Sequence, residues 1–247
     1  ITKKNVIYFE SKKLFPFLIF SLSMSAIFVL YLTFKSMKIQ NILTSSFNES
    51  IFSPKFEDEI STLNYNFPNV SVTSFPIASL QAIYYLNIDR IEDAKISAYD
   101  GIGSSPYIGF DKHVLSKIYL KENNIDSALY FAKLAFNSFP NNVHSTSLQQ
   151  LYEYTRDYKG LDSSFSVIED RKLVTEWENY LAIYGSHKFD YDSIVYTRAK
   201  KGRELFPKSK KIARYSNFIL TSKDSLELAY NADLEAQKLF KEKKYEQ

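Results

Sequence analysis

The side chains able to do chemistry are few in this chain of 247 residues, and none is a cysteine. Without a thiol there is no thiolate nucleophile, no disulfide and no cysteine-ligated metal. The three histidines, His113, His144 and His187, stand far apart and show no metal-ligand spacing. Gly101-Ile102-Gly103-Ser104-Ser105-Pro106 has the outline of a phosphate loop. It follows a helical pattern rather than a strand, so it reads as a connector. The carboxylate pairs Asp190/Asp192 and Asp157/Asp162 have no partner base and read as solvated loop residues. No catalytic constellation is legible, and no metal or cofactor is expected.

Charge narrows the partners. The formal net charge is +3, but the stretch from Ile1 to Lys38 holds six Lys and one Glu, which leaves 25 basic and 27 acidic side chains for the rest. A nucleic-acid footprint needs a basic patch on the folded part, so binding to nucleic acid is not expected. One stretch departs from the balance. Arg198, Lys200, Lys201, Arg203, Lys208, Lys210, Lys211 and Arg214 are accompanied by one acid, Glu204. Such a run reads first as a solvated helix face, and second as a basic patch for an acidic partner or anionic headgroups.

Leu14 to Phe34 is 21 residues without a charge, rich in Phe, Leu and Ile. That is the length of a helix crossing a bilayer. It exceeds the apolar core of a signal peptide, so a transmembrane helix is expected. Tyr8 and Tyr31 are placed as interface aromatics. Lys3, Lys4, Lys12 and Lys13 precede the span and Lys35 and Lys38 follow it, which keeps the first residues cytoplasmic and everything beyond about residue 40 outside. In a Gram-negative cell that side is the periplasm.

Beyond the span, two stretches superimpose when one is slid along the other by about 34 residues. Tyr85, Ile91, Ala94, Ala98, Gly101 and Pro106 fall opposite Tyr119, Ile125, Ala128, Ala132, Ala135 and Pro140, with Ala82 opposite Ser116. Small residues recur where two helices of a hairpin would cross closely. Gly101 and Ala135 are placed where the next unit's first helix would lean in. Prolines recur where the second helix would stop. The expected turns, Asn87-Ile88-Asp89-Arg90 and Glu122-Asn123-Asn124, are short and polar. In period and in these positions the chain resembles the tetratricopeptide repeat family. It departs from the family at Ala78 and Lys112, where tryptophan or leucine is common, and at Gln81, where Leu115 keeps the usual leucine.

The resemblance implies an all-α fold: one N-terminal transmembrane helix followed by an α-solenoid of antiparallel helix pairs. The expected division is a cytoplasmic flank at 1–13, the transmembrane helix at 14–34 and an ordered connector at 35–74. Two repeat units follow at 75–140, then degenerate repeat-like helices at 141–223 and the first helix of a further, incomplete repeat at 224–247. The parent chain is expected to continue past Gln247. The family's first helices line a concave groove, which carries over to Ser79, Ile83, Leu86 and Asn87 in one unit and His113, Lys117, Leu120 and Lys121 in the next. Members that clamp a C-terminal carboxylate use a lysine and asparagines at set places, two of which hold Ser79 and Ile83 here, so that activity is not expected. Two functional classes follow. One is a membrane-tethered extracytoplasmic scaffold binding proteins of an envelope or membrane complex. The other is the C-terminal repeat region of a polytopic membrane enzyme similar to O-antigen ligases and polymerases, with its catalytic part upstream.

Overall fold

The computed structural model of the chain describes residues 11–62, 69–71, 74–187, 192–221 and 231–238. Lys3, Lys4, Tyr8, Asp190 and most of the helix expected within 224–247 lie outside the described residues. Of that last helix, 231–238 are helical. Among the described residues the secondary structure is helical throughout, apart from one isolated bridge between Val70 and Pro76. The chain divides into two compact units, Ile1–Pro106 and Tyr107–Gln247.

The first unit begins with α1 (Ser11–Glu49), a helix of 39 residues. Its apolar side chains from Phe15 to Phe34 are 47–72% exposed, so protein packing does not account for them. The helix is long and apolar enough to cross a membrane. Twenty-one helical residues span about 32 Å, against a hydrocarbon core of about 30 Å. The helix does not stop at Phe34, because no proline or glycine interrupts the chain between Pro16 and Pro54. It runs on into the segment expected as connector and changes character there. Ser36, Ile39, Gln40, Leu43 and Ser46 are buried at helical spacing, and α1 packs on α3 (Ile77–Asn87).

Between them, a 3₁₀ turn at Pro54–Phe56 and the short α2 (Glu57–Ser61) also close on α3. Gln81 donates to the Ile60 carbonyl at 3.2 Å, Tyr84 donates to the Ser53 carbonyl, and Phe47 and Phe52 meet Phe75 and Tyr84 edge-on. Ten consecutive residues of α3, Ile77 to Leu86, are buried. A helix that is apolar and covered on all sides behaves as a core element. α4 (Ile91–Asp100) completes a hairpin with it. Gly101, just past α4, lies so close to α3 that an added Cβ would meet Ser79 Oγ at 2.6 Å. The small residue closes the hairpin on its own first helix, not on a following one. α4 ends at Asp100, well before Pro106, so that proline is not what stops it.

The second unit holds α5 (Phe110–Lys121), α6 (Ile125–Ser138), α7 (Asn142–Thr155), α8 (Tyr158–Ile168), α9 (Val174–His187), α10 (Ser193–Leu205) and α11 (Lys210–Leu220). Asn124, Asn141, Asp157 and Ser209 cap α6, α7, α8 and α11, each accepting the backbone N–H three residues on. α5 and α6 run antiparallel: Ser116 Oγ donates to the Ala128 carbonyl at 2.8 Å, and Lys112 Nζ donates to Ser138 Oγ. Gly109, at φ +63°, precedes α5 where a Cβ would lie 2.8 Å from the Ala135 carbonyl oxygen. Both the left-handed backbone and the close approach call for glycine. Unlike α4, α6 ends directly before Phe139-Pro140.

One turn geometry recurs in both units. Asp89, Asn123 and Arg156 all have φ between +55° and +63°. After each, the next amide donates to a carbonyl five residues back: Arg90 to Tyr85, Asn124 to Tyr119 and Asp157 to Tyr152, at 2.9–3.0 Å. The step from Asp89 to Asn123 equals the sequence period, and the step from Asn123 to Arg156 is shorter by one. The third turn falls where side-chain identity no longer shows the period.

Candidate functional site

The residues assigned to a concave face divide by burial. Ser79, Ile83, Leu86 and His113 are buried, whereas Asn87, Lys117, Leu120 and Lys121 are exposed. On α3 the reason is α1 together with the segment after it: the connector packs along the helix and leaves Asn87 at its end exposed.

His113 meets a second histidine. Its ring lies 5.3 Å from that of His144 on α7, centroid to centroid, and 6.3 Å from Phe110. The His144 backbone N–H is taken by the Asn141 cap, and its Nδ1 is 2.8 Å from the Phe139 carbonyl, which places the proton on Nδ1 in the neutral ring. Burial drives the His113 imidazole down to about 3, with the nearby Lys117 ammonium and His144 adding to the effect. Burial also lowers His144, against the carbonyls of Phe139 and Ala135 and the charge of Asp111. Both rings are therefore neutral at pH 7. Among the described residues no group of three or more His, Asp or Glu could hold a metal ion.

Arg198, counted in the basic stretch, is not a surface cation. It is 3% exposed. Nε donates to Glu169 at 2.8 Å, Nη1 to Asp162 at 3.1 Å and to the Tyr180 hydroxyl at 3.0 Å, and Nη2 to Ser166 at 2.7 Å. The Tyr180 hydroxyl donates in turn to Asp162 at 2.6 Å. The guanidinium carbon is 5.1 Å from the centroids of Phe165 and Tyr180, whose rings stack at 4.0 Å. Asp162, expected as a solvated loop residue, is therefore a partner in a buried network on α8, and Asp157 is the α8 cap.

A second network ties α7 to α9. Glu176, 1% exposed, accepts from Ser145 at 3.2 Å and from Arg171, which also donates to the Pro140 carbonyl. Burial pushes the Glu176 carboxyl above its usual range, opposed by Arg171 and Ser145. These buried charges join side chains of different helices, which is why sequence reasoning missed them.

The rest of the basic stretch is at or near the surface. Lys201 reaches Glu169 and Asp170, Arg203 donates to Asn217, and Lys211 lies 3.7 Å from Glu178. Lys200, Lys208, Lys210 and Arg214 are exposed. No family model and no curated protein sequence matches the chain.

Proposed function

We propose that the chain is a membrane-tethered scaffold of tandem helical hairpins, similar to tetratricopeptide repeats, that binds protein components of an envelope complex on the extracytoplasmic side. The observation that carries this reading is the turn repeated at Asp89, Asn123 and Arg156 with matching backbone bonds. Helix starts support it. The first helix of each pair begins at Ile77, Phe110, Asn142 and Val174, and the second at Ile91, Ile125, Tyr158 and Ser193, so each interval is about 32–35 residues. Hairpins of this kind bury their apolar faces against their neighbours and offer extended surfaces suited to proteins. α1 supplies the tether, and its flanking lysines supply the orientation.

The chain has no native cysteine, so single introduced cysteines report the side of the membrane without background. Lys121→Cys should react with a membrane-impermeant maleimide in intact spheroplasts, and Ser11→Cys only after lysis. The opposite pattern would place the helical region in the cytoplasm and defeat the extracytoplasmic reading.

A further inference from the structure

The turn joining α10 to α11 stands over the first turn of α9 and encloses an open groove of about 520 Å³. Its walls are apolar: Val174, Leu205, Phe206 and Pro207. Lys208 lies on its edge. The acid in the lining, Glu178, is already engaged: it accepts from Ser209 Oγ at 2.7 Å and lies 3.7 Å from Lys211 Nζ. A smaller cavity of about 160 Å³ shares Phe206 and Pro207 and adds Arg203. Exposed Lys210, Lys211 and Arg214 follow on α11, and Glu204 on α10 is exposed as well.

We infer that this groove is the docking site for an acidic peptide segment of a partner protein, which seats an apolar side chain between Val174 and Phe206 and sets its carboxylates against Lys208 and Arg203. The volume lies within the range of ligand pockets, about 300–1,000 Å³. Apolar walls edged by the exposed Lys208, with the lining acid Glu178 already held by Ser209 and Lys211, match an amphipathic acidic segment and repel a basic one. The inference rests on reading the chain as a protein-binding scaffold, and names one place and one chemistry for that binding.

The test uses the full chain in phosphatidylcholine nanodiscs and three fluorescein-labelled peptides. One is built of Asp, Glu, Leu and Phe; the second has its acids replaced by Lys; the third has its Leu and Phe replaced by Ser. Anisotropy should show binding of the first alone. Lys208→Glu should weaken that binding by about tenfold, with an unchanged circular-dichroism melt, because the side chain is exposed on the edge of the groove. Val174→Ser should weaken it with no change in its salt dependence. The groove assignment is overturned if the acidic peptide does not bind, if the lysine peptide binds equally well, or if charge reversal leaves affinity unchanged. Loss of peptide binding when phosphatidylglycerol is added to the nanodiscs would assign the rim to lipid headgroups and also overturn it. Capture of a protein from Lys117 in cells, with no peptide bound in the groove, would remove the groove and leave the scaffold standing.

Discussion

Arg198→Met should lower the stability of the second unit by about 3 kcal/mol, seen as a fall of about 6–12 °C in its thermal midpoint by circular dichroism. The substitution keeps the length of the stem and the contact with Phe165, and removes the charge. Asp162 and Glu169 are then left without the guanidinium that neutralises both, and the Tyr180 hydroxyl loses a donor. Breaking a buried pair from one side generally costs about 3–5 kcal/mol. The lower end applies because the Asp162 and Glu169 side chains keep 19% and 23% of their surface, where water compensates in part. Arg198→Lys should lose most of the same amount, since an ammonium cannot serve Glu169, Asp162 and Ser166 at once or stack on two rings. If Arg198→Met melts within about 2 °C of the parent, the network is not the clamp described.

Acid should loosen the α5–α7 contact as pH falls below 6.5. His113 has a folded-state value near 3 against 6.5 for the exposed side chain. The unfolded chain therefore binds the extra proton. The His113 contribution is fully present above pH 6.5 and is lost progressively as pH falls toward 3. Its share of the loss is about 2 kcal/mol between pH 6.5 and 5, and His144 changes in the same direction. Asp111 opposes the shift at His144, and Lys112 and Lys117 reinforce the shifts at His144 and His113 respectively. In His113→Gln, the slope of thermal midpoint against pH over this window should fall by about half. A slope unchanged from that of the parent would show that the buried rings are not what acid acts on.

These two clusters mark where the sequence stops being legible. The partners of Arg198 lie 36, 29 and 18 residues away, while its neighbours in sequence are basic, so a linear reading files it with a solvated run. His113 and His144 have no ligand spacing, yet a separation close to one hairpin period brings their rings together. Periodic features were easier. The apolar span and the helical stretch expected over 141–223 follow from hydrophobic spacing and breakers, and α7 to α11 fall within that stretch. The third copy of the turn was hidden because Arg156 can take the left-handed backbone that Asp89 and Asn123 favour, and the period then survives in the backbone alone.

α1 alters what the expected groove can be. An anchor ending at Phe34 would leave α3 open on one face. A helix continuing to Glu49 places Ile39 and Leu43 in the interior of the first unit, so that α1 and the first hairpin form one packed body. Of the residues expected to line that groove, the exposed ones are Asn87 at the end of α3 and Lys117, Leu120 and Lys121 on α5.

The most direct measurement is photocrosslinking in intact cells from p-benzoylphenylalanine at Lys117 or Lys121 of the full chain. The scaffold reading predicts a discrete protein adduct, of the same size from both positions, recovered in the membrane fraction. Adducts to lipid alone, or none from either position while the chain remains in the membrane, would contradict it.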